Sequence, residues 1–372
     1  MDEFRAEMLK RRVKIAITIK PEAIDEVSSL QRAEIQWQDR LANQGRVASD
    51  DDTHSLGGWV KIYLAKEQQR VNARELSPGR FSSARASLFF FRDWAGAQID
   101  VASISGQTLS RYHSHLLDLV TANSCSATYA GDRLVVVRSF IRWLWGQDAI
   151  ESLPKNIGSK ELRITRRTKA PEAMTLDEVT TLLRGTTGLN QLCILLGLNC
   201  GMTQKDISDL LDADVSWTDG TITRKRSKTL KHVGVPTVTY KLWPETMRLL
   251  RQYRTGGEVV LLTQSGKRLV EERLDESGTY RKSDSVKAAY DRALAKLPLS
   301  KPFKLLRKTS ATLINAHPQH RNLAQLFLGH APSTIAEKHY IATSKNALDE
   351  ALNYLRAEYR IGEIESLKCE ES

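Results

Sequence analysis

The strongest constraint on this chain is a rhythm. Between Leu56 and Trp145, apolar residues return every three or four positions through four successive segments. That spacing gathers them on one face of an α-helix and is foreign to the period-two alternation of a strand. In the first segment, opening at Leu56, Trp59, Ile62, Tyr63 and Lys66 follow i, i+3, i+4, i+7. Leu88, Phe91 and Trp94 predict a second helix over 82–95, and Leu109, Tyr112, Leu116 and Leu119 a third over 108–120. Leu134, Val137, Ile141, Leu144 and Trp145 predict a fourth over 127–145. Four such helices in about 100 residues make a compact helical domain, placed at 55–155. Residues 1–54 are polar, end in Asp50-Asp51-Asp52, and read as a lead-in of unassigned function.

The rhythm then breaks. Residues 158–170, GSKELRITRRTKA, carry five bases and one acid. They read as a solvated basic linker, 156–171, in which Arg166 and Arg167 suit a phosphate backbone. A second domain, 172–360, opens at Thr175-Leu176-Asp177-Glu178, a capping box. An apolar helix is expected over 189–199 and a polar one over 203–211. Strand-like residues follow: Val215, Trp217, Thr221, Ile222 and Thr223 flank the turn Asp219-Gly220, with Val233, Val235 and Val238 beyond. A further short strand is expected over 258–262, helices over 283–359, and an acidic tail over 361–372. The fold class is therefore mainly α with a small antiparallel β-sheet (α+β).

Composition narrows the partners. Lysine and arginine number 55 against 44 acids, a net charge of +11, which favours a polyanion. The charged opening MDEFRAEMLKRR predicts no secretory signal, and the longest apolar run, Leu192 to Leu198, is far shorter than a membrane span. Cys125, Cys193, Cys200 and Cys369 have neither zinc-ribbon nor disulfide-framework spacing. The expectation is an intracellular, reduced, basic protein with no membrane partner.

Chemistry concentrates in residues 301–345. The chain has no glycine-rich phosphate loop, no H-E-x-x-H, no G-x-S-x-G and no tight Asp/Glu/His cluster, so neither metal nor cofactor is expected. Lys304 and Arg307 lie three apart at a helix start; Leu328-Gly329-His330 follows, with Gly329 placed to stop a helix. Tyr340 comes ten residues after His330. This arrangement resembles the tyrosine recombinase/integrase family, whose pattern is H-x-L-R-H-T-x-A-T, then L-G-H, then a tyrosine nine or ten residues later. Residues 304–312, KLLRKTSAT, match the first part, with lysine at the leading histidine position, and Arg307 and His330 have the family's separation. The resemblance spans about 55–360.

It implies a site-specific DNA recombinase or integrase of a mobile element. The enzyme would act on double-stranded DNA, assemble as a tetramer there, and be cytoplasmic and nucleoid-associated. Tyr340 would attack a phosphodiester to form a 3′-phosphotyrosyl link, with Arg307, His330 and Lys304 stabilising charge. Elementary chemistry agrees: a covalent intermediate conserves the bond energy, and the planar arginine fork suits phosphate oxygens. The hairpin TRKRSKTLKH, 223–232, supplies Lys228 as the acid for the leaving oxygen, and Arg224, Lys225, Arg226 and Lys231 as backbone contacts.

One departure stands out. The family's first arginine falls in a segment that here reads Cys200-Gly201-Met202-Thr203-Gln204-Lys205-Asp206, with Thr203 at the arginine position. Thr203 and Asp206 form a plausible capping pair. The hairpin puts Arg224 and Arg226 on one face, and Arg226 is the preferred substitute. The departure keeps two alternatives open: a cleavage-deficient DNA-binding protein of the same fold, and a type IB topoisomerase-like enzyme. Finally, Leu348, Ala351, Leu352, Leu355 and Tyr359 form a stripe on a helix over 345–360, which the resemblance would dock on a neighbouring subunit.

Overall fold

The computed structural model describes residues 54–165, 172–227, 234–276, 278–331 and 345–364. These form two compact units. One comprises the described residues to Glu67 with Ala84–Ile164, the other Gln68–Ser83 with the described residues from Thr165 onward.

The first unit is helical, formed by α1 (Leu56–Asn72) as far as Glu67, α2 (Pro78–Ala95) from Ala84, α3 (Gly106–Thr121) and α4 (Ala127–Trp145), with a 3-10 turn at Val101–Ser103. α2 begins earlier than the apolar spacing alone suggests, at a proline whose missing N–H costs nothing in a first turn. In α1 the core face is Leu56, Val60 and Leu64. Trp59 and Tyr63 flank it and meet Trp143 and Phe140 of α4 edge-on, at ring separations of 5.7 and 5.4 Å. Leu109, Tyr112 and Leu116 of α3 and Leu134, Val137, Ile141 and Leu144 of α4 are buried, whereas Trp145 is exposed. The first half of the basic stretch also packs: Ile157, Leu162 and Ile164 are buried. Asn156 donates to the Gly106 carbonyl at 2.8 Å.

The second unit is built around α6 (Gly188–Asn199), buried at every position from Gln191 to Asn199. A helix apolar on all sides can only be a core axis. α5 (Leu176–Arg184) precedes it, and both halves of the Thr175–Glu178 capping box form. Packed on α6 are α8 (Pro244–Gln252), α9 (Ser285–Leu294), α10 (Lys304–Ala316) and α12 (Lys345–Glu358). A three-stranded antiparallel sheet, β1 (Val215–Ser216), β2 (Thr221–Arg224) and β3 (Val238–Lys241), pairs Val215 with Ile222 and Ile222 with Tyr240.

Four local expectations change. The polar helix shrinks to α7 (Gln204–Ser208), because Leu210 and Asp212 give their backbone groups to the 258–260 segment instead. That segment makes isolated bridges, Leu211 to Val259 and Leu262 to Arg268, rather than a strand. An unforeseen hairpin joins β4 (Val270–Leu274) to β5 (Tyr280–Asp284). Its strand residues are mostly charged and half of them are exposed, so no apolar alternation announces it. Lastly, the α12 stripe is spent inside its own unit. Leu348, Ala351, Leu352, Leu355 and Tyr359 are all buried, Trp243 donates to the Leu352 carbonyl at 2.8 Å, and the Tyr359 and Ser310 hydroxyls meet at 2.9 Å. This corrects the expectation of a stripe left for a neighbouring subunit. Ile361 and Ile364 are buried too, so the body extends past 360.

Candidate functional site

Arg307 sits on the first turn of α10 and is buried. Its Nη1 donates to the Gly201 carbonyl at 2.6 Å, and its Nη2 donates to the Leu328 carbonyl. Both acceptors lie just beyond helix ends, α6 in one case and α11 (Ala324–Phe327) in the other. Carbonyls there lack intrahelical donors, so a guanidinium satisfies both at once. Glycine shapes the two turns. Gly201 has φ +57° and Gly329 φ +56°, and a Cβ on Gly201 would stand 3.0 Å from the Phe327 ring.

His330 follows Gly329, so the same turn that binds Arg307 aims the imidazole. Gln325 Oε1 accepts from the Nδ1–H at 2.8 Å, which leaves Nε2 as the reactive nitrogen. Burial, then the charges of Arg307 and Arg226, hold His330 below its ordinary pKa. Burial, then Arg226, likewise brings Arg307 down to about 10. Arg226 completes the group. It is half-buried, and its Cβ lies 3.9 Å from where a Cβ on Gly329 would stand. Its Nε is buried with no hydrogen-bond partner among the described residues. Tyr240 backs the cluster, its hydroxyl donating to the Phe327 carbonyl at 2.9 Å. Three cationic or cation-capable groups thus converge on one side of this unit, an arrangement suited to an oxyanion.

Arg224, expected as a phosphate-facing contact, is turned inward. Ile222 and Arg224 share strand parity and both are buried. Arg224 pairs with the buried Asp206, whose Oδ1 also accepts from the Ser227 N–H at 2.9 Å. Asp206 Oδ2 accepts from the Thr203 N–H at 2.9 Å and from its hydroxyl at 2.7 Å, while Thr203 Oγ1 caps the Asp206 N–H. Burial alone would raise the Asp206 carboxyl, but Arg224 and the bonds from Thr203 and Ser227 outweigh it and lower its pKa. Thr203 is therefore fully engaged as the N-cap of α7.

The other candidates separate. Lys304 is exposed one turn before Arg307 and contributes to the positive surroundings of Glu172. Lys225 is half-exposed and lines a cavity of about 520 Å³ with Lys205, Asp209, Arg268 and Glu271. That cavity mixes both signs and includes none of Arg226, Arg307 and His330. Tyr340, Lys228, Lys231, Arg166 and Arg167 lie outside the described residues. Gln325 escaped the sequence reading because a single glutamine carries no pattern. The inward turn of Arg224 did leave a signal, the buried parity of Ile222 two residues earlier.

No protein-family model and no curated protein sequence matches the chain. Among solved structures, it is similar to a lambda integrase tetramer bound to a Holliday junction. The identity is 16% and the TM-score 0.54, over 89% of this chain and 87% of that one. A shorter lambda integrase, a dimer bound to a core site, matches at 18% identity and TM-score 0.53, over 76% and 97%. The Tn1549 transposon integrase in complex with a circular intermediate DNA matches at 12% and 0.52, over 78% and 99%. The likeness is one of fold: the chain has the α+β tyrosine-recombinase fold.

Proposed function

We propose that this chain is a site-specific DNA recombinase or integrase that cuts and rejoins DNA through a 3′-phosphotyrosyl link at Tyr340. The observation that carries the reading is the convergence of Arg307 and His330 at one glycine turn, in a fold whose solved examples include integrases bound to DNA. Arg307 would donate to the non-bridging oxygens as charge grows on them. His330 Nε2 would hydrogen-bond the same phosphate, and Lys228 would protonate the leaving 5′-oxygen. Lys304, Lys225, Lys231, Arg166 and Arg167 are assigned to charge stabilisation and backbone contact, and synapsis to self-association on DNA.

The test uses duplex sites selected from a random DNA pool by the full-length chain. Wild type should form an SDS-resistant protein–DNA adduct on a nicked version of such a site. Tyr340→Phe should bind the intact site equally and form no adduct. An adduct at wild-type level from Tyr340→Phe overturns the assignment of the nucleophile. The engagement of Thr203 as a cap favours one second reading, a DNA-binding protein of this fold that has lost cleavage. Binding by wild type without any adduct would select it. Relaxation of plasmid without recombinants would instead select a topoisomerase-like activity.

A further inference from the structure

We infer that Arg226 is a second guanidinium clamp of the anion site, binding with Arg307 and His330 the non-bridging oxygens of one phosphodiester. For the identity of that anion the inference rests on the function proposed above. The clamp itself rests on geometry.

Three observations converge. First, position: Arg226 packs against the Gly329 turn, whose neighbours on either side are Leu328, bonded by Arg307, and His330. Second, an open donor: the Arg226 Nε is buried with no partner among the described residues, and a bound acceptor would remove the cost of leaving such a donor unpaired. Third, the nearby acid is already committed. Asp206 uses Oδ1 for Arg224 and Ser227 and Oδ2 for Thr203. Asp206 thus holds the chain on both sides of Arg226, at Arg224 and at Ser227, while Arg226 itself forms no ion pair among the described residues. Burial first, and the Arg226 charge after it, depress the pKa values of Arg307 and, with Arg307 also contributing, of His330. A bound anion would relieve all three groups together.

The same geometry explains how the site can dispense with a cation at Thr203. A threonine offers one neutral hydroxyl, and here that hydroxyl caps α7. Arg226, whose Cβ lies beside the Gly329 turn, would supply the planar fork instead.

The experiment compares wild type, Arg226→Gln and Arg226→Lys as full-length chains. Two readouts are taken: adduct rate on the nicked selected site, and the His330 imidazole NMR resonance during titration with inorganic phosphate. Arg226→Gln should keep an unfolding temperature no lower than wild type, since it removes a cation with no ion pair among the described residues. Its adduct rate should fall by about 10²–10³, the usual loss for one preorganised oxyanion donor, with affinity for the intact site changed less than about tenfold. Its phosphate-induced shift at His330 should largely vanish. Arg226→Lys, which keeps the charge but loses the fork, should lie between, and it carries the comparison if Arg226→Gln does not fold. An undiminished phosphate response at His330 in the folded variants overturns the clamp, as does an undiminished adduct rate. If wild type forms no adduct yet shows a phosphate response that Arg226→Gln lacks, the recombinase reading fails and the clamp stands.

Discussion

At the end of β2, Arg224 and Arg226 lie two residues apart in opposite electrostatic surroundings. Arg224 is buried, ion-paired with Asp206 and surrounded by satisfied hydrogen bonds. Arg226 acts by its charge on Arg307 and His330, with a buried Nε that nothing described accepts from. The first arrangement is what folding alone produces, since a buried charge persists when it is paired. The second opposes folding, since like charges gathered in a partly buried place repel and each loses hydration. The contrast sets an arginine that the fold neutralises beside one whose buried Nε has no partner among the described residues, the one proposed above to meet a ligand.

Substitutions can break this contrast, beginning with the largest effect. Asp206→Ala would strand the Arg224 charge, and removing one partner of a buried pair costs about 3–5 kcal/mol. Urea unfolding should show a loss of that size, against a change near zero for Arg226→Gln. Equal losses for the two would mean that the regions do not differ. Thr203→Ala comes next. It removes the cap of α7 and one donor to Asp206, and N-cap losses run about 0.5–2 kcal/mol. Adduct formation should weaken through this loosening alone, without the salt-slope change that a lost phosphate contact would bring. A wild-type unfolding midpoint for Thr203→Ala would show that the cap holds nothing.

The smallest effect sharpens the comparison by pH. Depressed pKa values mean that the unfolded chain takes up protons first as pH falls. The stability tied to Asp206 is present above its unfolded value and is lost as pH drops through its lowered folded value. For His330, stability falls once pH drops below the ordinary histidine value of about 6.5 and levels off below the depressed folded value. NMR titration should find the His330 pKa below that ordinary value in wild type and shifted upward in Arg226→Gln. The same pKa in both would show that Arg226 does not act on the imidazole.

Legibility in the sequence followed the range of the forces involved. The helices of the first unit and the Thr175–Glu178 box were readable because they depend on residues three and four apart. The β4–β5 hairpin was not, since VEERL and YRKSD lack an apolar face and pair through their backbone and through contacts such as Lys282 with Glu272 at 3.6 Å. The α12 stripe was legible as apolar but not as to its partner. Burial against Trp243 and Ser310 decided that it lies within its own unit.

By itself, then, the sequence determined where most of the helices run and that Thr203 and Asp206 could cap one of them, and it singled out Arg307 and His330 through a resemblance to a family pattern. Only the tertiary structure decided which hairpin arginine is neutralised. The choice depends on β2 register and on α7 presenting Asp206 to Arg224, 18 residues away. A charge's free energy is set by what stands within a few ångströms of it, and that neighbourhood exists only in the folded chain.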